Sequence, residues 1–270
     1  MKNLSFFCLT LNPEHEKSIK EFGYIPVGLG DKRFSRDILS DKLGENISKK
    51  NPYFGEYTFH YWIWKNYLEE IKTEWVGFCQ YRKFFLKDNI KFDNIEMEDL
   101  KNLLIDKIEL NDQNYDCILG TKFSVIEYKL SKIIKHHLFE FLSKPSLLFN
   151  KRKRTIKFHF DLFHGRGNLD KAIDLLDEKY KKDFNNYMNQ ETSFHPHNMF
   201  ICKTKILHKY YEAIFPWLEK CEKEFGFKDL EGYGKKRIYG FLAERFLSFW
   251  FSKKFTIREK PIIVKNISEF

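Results

Sequence analysis

The chain opens on an unbroken apolar run, Leu4–Leu11, with Phe6, Phe7 and Cys8 inside it. A short run without alternation reads as a strand buried on both faces. Asn12-Pro13 ends it, and a short helix is predicted from Glu14. Further strands are predicted at Tyr24–Val27, Trp75–Cys79, Tyr115–Leu119 and Met199–Cys202. Between them the period lengthens. Tyr57, Tyr61, Trp64 and Leu68 recur at i, i+4, i+7 and i+11, which predicts a helix over Gly55–Glu70. Helices are also predicted near 96–107, over 125–142, 168–180 and 204–223, and over Ile238–Phe251, which is apolar nearly all round and therefore buried. Residues 143–168 read as irregular. Residues 28–54 are rich in Gly, Asp, Asn, Ser and Lys, and a polar loop of that length in a compact domain points to function.

Strands alternating with helices predict an α/β fold with a mostly parallel central sheet flanked by helices. Ligands of such sheets bind beyond the carboxyl ends of the strands. That places the site at Thr10–Asn12, the 28–54 loop and Gln80–Lys83. No repeat or Gly/Ser-rich linker divides the 270 residues, so one domain is expected. Within it, residues 1–120 read as a ligand-binding half, 121–190 as a helical, basic insertion, and 191–270 as a second half of the site.

Composition changes this picture in three ways. Hydrophobic residues at 43% and charged residues at 31% exclude a disordered chain. Lys and Arg exceed Asp and Glu by 47 to 38, a net charge of +9. Nucleic acid, an anionic membrane surface or a phosphorylated small molecule would each suit it, as would a Lys-rich solvated surface. The five cysteines are odd in number and lack C-x-x-C spacing, which argues for free thiols in a reducing compartment and against a zinc site. No apolar run reaches the length of a membrane span, and the first one is too short for a signal-peptide core. A cytoplasmic protein is expected, or one on the inner face of a membrane.

Four constellations could carry chemistry. Tyr81-Arg82-Lys83 follows a strand, and two cations there can hold a diphosphate by charge-assisted hydrogen bonds. A solvated basic turn has the same sequence. Gly44–Tyr53, leading into Glu56, offers Asn46, Ser48 and Asn51 before a helix, either for a base, ribose or phosphate or as turn and cap residues. Glu244 stands with Arg245 in an apolar helix, so it is either an ion-pair partner or a site residue facing a polar cavity. His195-Pro196-His197-Asn198 precedes a strand. Two His at i, i+2 lack a third ligand nearby, which favours polar contacts over a metal. His159, Asp161 and His164 form a weaker group of the same kind. No Asp-x-Asp follows an apolar strand, and there is no Walker loop, G-x-G-x-x-G or G-x-S-x-G.

These stretches, in order, resemble a bacterial family long carried as a domain of unknown function, number 4422, found in capsule, exopolysaccharide and O-antigen loci. The resemblance runs through Tyr24–Gly28, Glu45–Tyr53, Glu56–Thr58, Tyr61–Asn66, Val76–Phe84, Tyr115–Leu119, His195–Phe200 and Gly240–Arg245. It implies a glycosyltransferase of the GT-A kind, with a UDP-sugar, UDP-galactose among them, as donor. The Asp-x-Asp of that fold would fall at Gln80-Tyr81-Arg82, where a cation would take the place of a metal ion. Two departures stand out. The family usually has His at Gln80, and residues 129–158 look longer than its norm.

The resemblance and the residues together assign the donor to Thr10, Asn12, Gly28, Asp31, Lys32, Asn46, Asn51, Glu56, Tyr81, Arg82 and Lys83. They assign the reacting centre to Glu244, His197 and Arg245, and the acceptor to His164, His195 and Asn198. The expected acceptor is a polyprenyl-linked glycan. No metal cofactor is expected, with Mn²⁺ or Mg²⁺ left open. A membrane contact could come from 125–154, where Val125, Ile126, Ile133, Ile134, Leu138 and Phe141 alternate with lysines ahead of Lys151–Arg154. The competing readings are a basic nucleic-acid-binding module, weakened by the spread of charge and lack of a recognition motif, and a non-catalytic membrane-docking protein.

Overall fold

The computed structural model describes residues 3–87, 97–126, 150, 153–228 and 230–269. The strands, in chain order, are β1 Leu4–Thr10, β2 Ile25–Gly28, β3 Leu39–Ser40, β4 Trp75–Gln80, β5 Lys83–Phe85, β6 Cys117–Gly120, β7 Phe123–Ser124, β8 Ser193–Phe194, β9 Phe200–Lys203, β10 Ile257–Lys260 and β11 Ile262–Val264. One sheet runs β10-β6-β9-β4-β1-β2-β3, with β5 joined to β4 and β11 to β5. β1 pairs in parallel with β2 and β4, and β2 with β3. β9 is reversed, running antiparallel to both β4 and β6.

Alternate residues of the buried strands feed two cores. Phe7 and Leu9 of β1 join Val76, Phe78, Phe200 and Cys202 on one face. The helices Thr204–Phe225 and Ile238–Lys254 cover that face. Phe6 and Cys8 join Cys79, Phe84, Ile118 and Ile201 on the other. All five cysteines are buried free thiols. Four of them sit cross-strand, Cys8 opposite Cys79 and Cys117 opposite Cys202.

Reversal of β9 is what builds the site. Phe78 of β4 and Leu119 of β6 both face Phe200, the first residue of β9. The residues that enter β9, His195–Met199, are therefore delivered to the carboxyl edge of β4. The halves 1–120 and 191–270 are interleaved in one sheet, because β9 lies between β4 and β6.

Several elements differ from the sequence expectation. The helix expected over Gly55–Glu70 begins at Tyr57 and ends at Trp62, then passes through a π turn at Ile63–Tyr67. Gly55 has φ 58° and ψ −131°, outside helical space, which sets that start. The polar loop 28–54 contains β3 and a short helix, Asn51–Phe54. Ile156–His164, within the stretch read as irregular, is a helix whose first turn is capped by Thr155 accepting from Phe158 N. One helix expected over 168–180 is two, Asn168–Asp174 and Glu178–Gln190, the second capped by Asp177. The strands β10 and β11 had no counterpart in the sequence reading. Most of the basic segment 125–154 lies outside the described residues. At its ends, Val125 is in the core at 3% exposure and Arg154 is buried at 2%. Among the described residues, no helix is long and apolar enough to cross a membrane.

Candidate active site at the carboxyl edge of the sheet

An open cleft with a cavity volume of about 60 Å³ lies beyond β1 and β4. Thr10, Asn51, Gly55, Glu56, Gln80, Tyr81, Arg82 and Arg237 line it with Leu9, Leu11 and Leu29. It gathers the end of β1, the end of β4, the short helix of the polar loop and the residue preceding the buried C-terminal helix. Glu56 is the sole carboxylate among these residues.

Each wall is fixed by contacts distant in sequence. Thr10 Oγ1 lies 2.7 Å from His15 Nδ1 and accepts from the backbone N–H of Asn12. His15 stacks on Tyr81 with ring centroids 4.9 Å apart, and its Nε2 is 2.6 Å from Ser268 Oγ. The backbone N–H groups of Lys265 and Ile267 donate to the carbonyls of Arg82 and Tyr81. The chain's last elements thus clamp the Tyr81-Arg82 turn. Arg82 itself is exposed, its guanidinium 5.7 Å from the Tyr81 ring centre.

Behind the cleft stands a polar network. Gln80 Nε2 donates to Glu56 Oε1 at 2.7 Å and to the His197 carbonyl at 3.1 Å. Lys83 Nζ donates to His197 Nδ1 at 3.0 Å. Burial lowers the Lys83 ammonium, opposed by the charges of Glu56 and Glu244. Burial, and then the Lys83 charge, push His197 down to about 4, so its ring is neutral at pH 7 and accepts at Nδ1. His197 and Asn198 have φ of 81° and 54°, the left-handed conformation that non-glycine residues seldom adopt. Strain of this kind persists only where surroundings enforce it. The enforcing contacts are the His197 N–H on Glu244 Oε1 at 2.5 Å and Asn198 Nδ2 on the Gly240 carbonyl at 3.1 Å.

The structure brings Thr10, Asn51, Glu56, Tyr81 and Arg82 to the cleft itself. Lys83, His197 and Glu244 lie in the network behind it. Asn12 and Lys32 sit beside Thr10, Lys32 Nζ donating to Asn12 Oδ1 at 3.2 Å. Gly28 is buried under Phe34, whose ring leaves no room for a Cβ. Asp31 is exposed on the loop that follows. Asn46 is turned into its own loop, donating to the carbonyls of Lys42 and Gly44 and accepting from Ser48. Arg245 is buried, ion-paired with Glu244, with its guanidinium 3.7 Å from the Phe194 ring centre. His195 Nδ1 donates to the Gly120 carbonyl at 2.6 Å; since a carbonyl only accepts, Nδ1 is the protonated nitrogen. His164 stacks on Phe241 with centroids 4.0 Å apart and reaches the Gly234 carbonyl. Burial pushes His164 down to about 3. Arg237 escaped the sequence reading. Its charge just before an apolar helix was visible, but its neighbour Glu56, far away in sequence, was not.

Among the described residues, no three His, Cys, Asp or Glu side chains converge as a metal-binding group. The carboxylates nearest the end of β4 are both engaged. Glu56 takes Gln80 and Arg237, and Glu244 takes Arg245 and the His197 N–H. Hard divalent cations need free oxygen ligands, and this donor set does not fit one without displacing a guanidinium from each acid.

The family model for Domain of unknown function (DUF4422) matches residues 14–255. The chain belongs to the DUF4422 family. No curated protein sequence matches this DUF4422 chain. Among solved structures it is similar to the WbbM bifunctional glycosyltransferase in its apo form, at 21% identity and a TM-score of 0.69. That alignment covers 98% of this chain and 46% of WbbM, so the chain spans about half the length of the protein it resembles. The mannosyltransferase Ktr4p from S. cerevisiae aligns at 12% identity over 97% of this chain and 70% of its own, with a TM-score of 0.34. The DUF4422 chain has a fold of the GT-A-like kind: a mostly parallel sheet in which β5 and β9 are reversed, with helices on both faces.

Proposed function

We propose that the protein is a glycosyltransferase that moves a hexose from a nucleotide-diphosphate sugar to a lipid-linked glycan of a capsule or O-antigen. A UDP-sugar, with UDP-galactose first, is the donor to test. The observation that carries the reading is the cleft at the carboxyl edge of β1 and β4, with Arg82 at its mouth and Lys83 behind it. In open α/β sheets that edge is where ligands bind. A diphosphate is met there by a planar fork and a point charge, the two forms of charge-assisted contact best suited to it.

In this reading Thr10, Asn12 and Asn51 face the nucleoside, and Tyr81, Arg82 and Lys83 the diphosphate. The likeness to a bifunctional glycosyltransferase over about half of its length suits a chain that equals one catalytic unit. Charge neutralisation by side chains replaces the metal, because the acids near β4 are already paired. Sugar transfer breaks the bond between the anomeric carbon and the diphosphate oxygen and forms one to an acceptor hydroxyl, whose proton must leave. Glu56, inside the cleft, is the nearby group able to accept it, since the one basic nitrogen of the neutral His197 ring, Nδ1, is taken by Lys83.

The test is a thermal-shift screen of the purified chain against UDP-, GDP-, CDP- and dTDP-sugars. A donor at 100 times its Kd adds about 2.7 kcal/mol of stability. No shift with any of the four, and no hydrolysis of a labelled donor, would remove this reading.

A further inference from the structure

We propose that Arg237 is a third ligand of the donor's diphosphate, held against Glu56 at the cleft wall until the donor arrives. The proposal rests on the donor reading above and adds a residue from the C-terminal half of the chain to it. Arg237 lines the same cleft as Arg82. Its Nη2 is 3.4 Å from Glu56 Oε2, long for a guanidinium–carboxylate contact, which closes to about 2.7–2.9 Å when fully made. The side chain keeps 27% of its surface exposed. It is held loosely, on the solvent side of the acid.

Two features of the backbone prepare that position. A Cβ at Gly55 would overlap Arg237 Nη2, and Gly55 has φ 58°, so both space and conformation reserve the place for glycine. The guanidinium packs into the groove left by the missing side chain. Arg237 also directly precedes the 17-residue helix Ile238–Lys254, whose buried body anchors the arginine's backbone while its side chain stays at the cleft.

Charge balance gives the same assignment. Glu244 and Arg245 cancel one another as a buried pair. The cleft lining then carries Arg82 and Arg237 against Glu56, with Lys83 in the network behind it. A nucleotide-sugar diphosphate carries two negative charges. Without Arg237 the lining would meet it with one cation and one carboxylate, no net positive charge. A guanidinium on a long, exposed contact to a single carboxylate exchanges readily for a phosphate, which offers it the same bidentate geometry.

Calorimetric titration of the full chain with UDP and with UMP tests this, in wild type, Arg237→Ala and Arg237→Lys. Arg237→Ala should weaken UDP about tenfold or more, the loss expected for one charge-assisted contact, with a much smaller effect on UMP, which lacks the second phosphate. Arg237→Lys should recover part of the loss. Should Arg237→Ala fail to fold, Arg237→Gln keeps part of the stem and a polar end without the charge and carries the same comparison. Unchanged UDP affinity in the folded variant overturns the proposal and leaves the donor reading standing. Equal losses for UDP and UMP also overturn it, since they mark a general disturbance of the cleft. If the wild type binds no nucleoside diphosphate, the donor reading itself falls, and this assignment with it.

Discussion

The backbone N–H of His197 donates to Oε1 of Glu244 at 2.5 Å, while Oε2 of the same carboxylate holds the buried guanidinium of Arg245. Both oxygens of Glu244 are therefore spoken for, and only 9% of the residue is exposed. Its visible work is to neutralise Arg245 and to fix a left-handed turn that carries His197 to the end of β4. Glu244→Ala should destabilise the protein by about 3–5 kcal/mol, because it leaves the buried Arg245 charge without its acid. Urea unfolding of the variant measures it. A variant as stable as the wild type but without turnover would instead make Glu244 a group of the reacting centre.

Arg82 gives the opposite expectation. It is exposed; its backbone carbonyl accepts from the Lys265 N–H, and its guanidinium lies over the Tyr81 ring, 5.7 Å from the centre. Arg82→Ala should leave stability within about 0.5 kcal/mol, as surface substitutions do. Donor binding should weaken by about 1.5–3 kcal/mol, the worth of a hydrogen bond to a charged group. A folded variant with undiminished donor affinity would reduce Arg82 to a solvated turn residue.

The sheet was readable because its strands are fully buried. β1, β4, β6 and β9 appear as short apolar runs and lie within two residues of their expected bounds. β3 was not readable, since its two residues sit in a polar loop and owe their strand geometry to β2. β10 carries Arg, Glu and Lys and hides among charges, and β11 is only three apolar residues, Ile262–Val264, between Pro261 and Lys265. At the site, Arg82 and Lys83 could be found because a strand end followed by cations is a local pattern. The clamp of Tyr81-Arg82 by residues 265–267 is a backbone contact across the whole chain, and no side-chain pattern announces it. The surroundings of His195 and His164 were not legible either. Each reads as a polar group before a strand or at a helix end, and in the fold each is buried with Nδ1 on a carbonyl, of Gly120 and of Gly234, while His195 Nε2 is buried without a hydrogen-bond partner.

Donor binding without a metal ion is the expected outcome, since Glu244 stays paired with Arg245 and Glu56 alone would not hold a hard divalent cation. UDP affinity, measured by calorimetry, should be the same in EDTA as in Mn²⁺. A large loss in EDTA would mean that Glu56 or Glu244 leaves its arginine to bind a cation, against the observed pairing.

Stability should fall as the pH drops from neutral. Burial holds His197 at about 4 and His164 at about 3 in the folded chain, below the ordinary histidine value. Between about pH 6.5 and those values the unfolded chain binds protons that the folded chain does not. Each histidine then removes up to about 1.4 kcal/mol of stability per pH unit, with the loss complete below its folded value. Urea unfolding from pH 7 to pH 4.5 measures the slope. His164→Phe, which keeps the stacking on Phe241, should flatten it by one histidine's share; an unchanged slope would show that His164 titrates normally.

A lipid-linked acceptor would require the protein to work at a membrane surface. The sequence between the buried Val125 and the buried Arg154 is the segment suited to that task. Its apolar Ile133, Ile134, Leu138 and Phe141 are interleaved with Lys132 and Lys135 and followed by Lys144, Lys151 and Arg152. Apolar residues spaced for one helical face, flanked by cations, are the composition of an interfacial anchor. Each cation near an anionic surface contributes on the order of 1 kcal/mol, and the attraction decays within a Debye length. The protein should therefore co-sediment with vesicles containing anionic phospholipid at low salt, and much less at high salt or with purely zwitterionic vesicles. Replacing Lys132, Lys135 and Lys144 together by Gln should abolish binding while leaving hydrolysis of a soluble donor intact. Binding that survives both high salt and the triple substitution would assign membrane contact to another part of the surface. A wild-type protein that never sediments with vesicles would mean the acceptor is brought to the enzyme in solution.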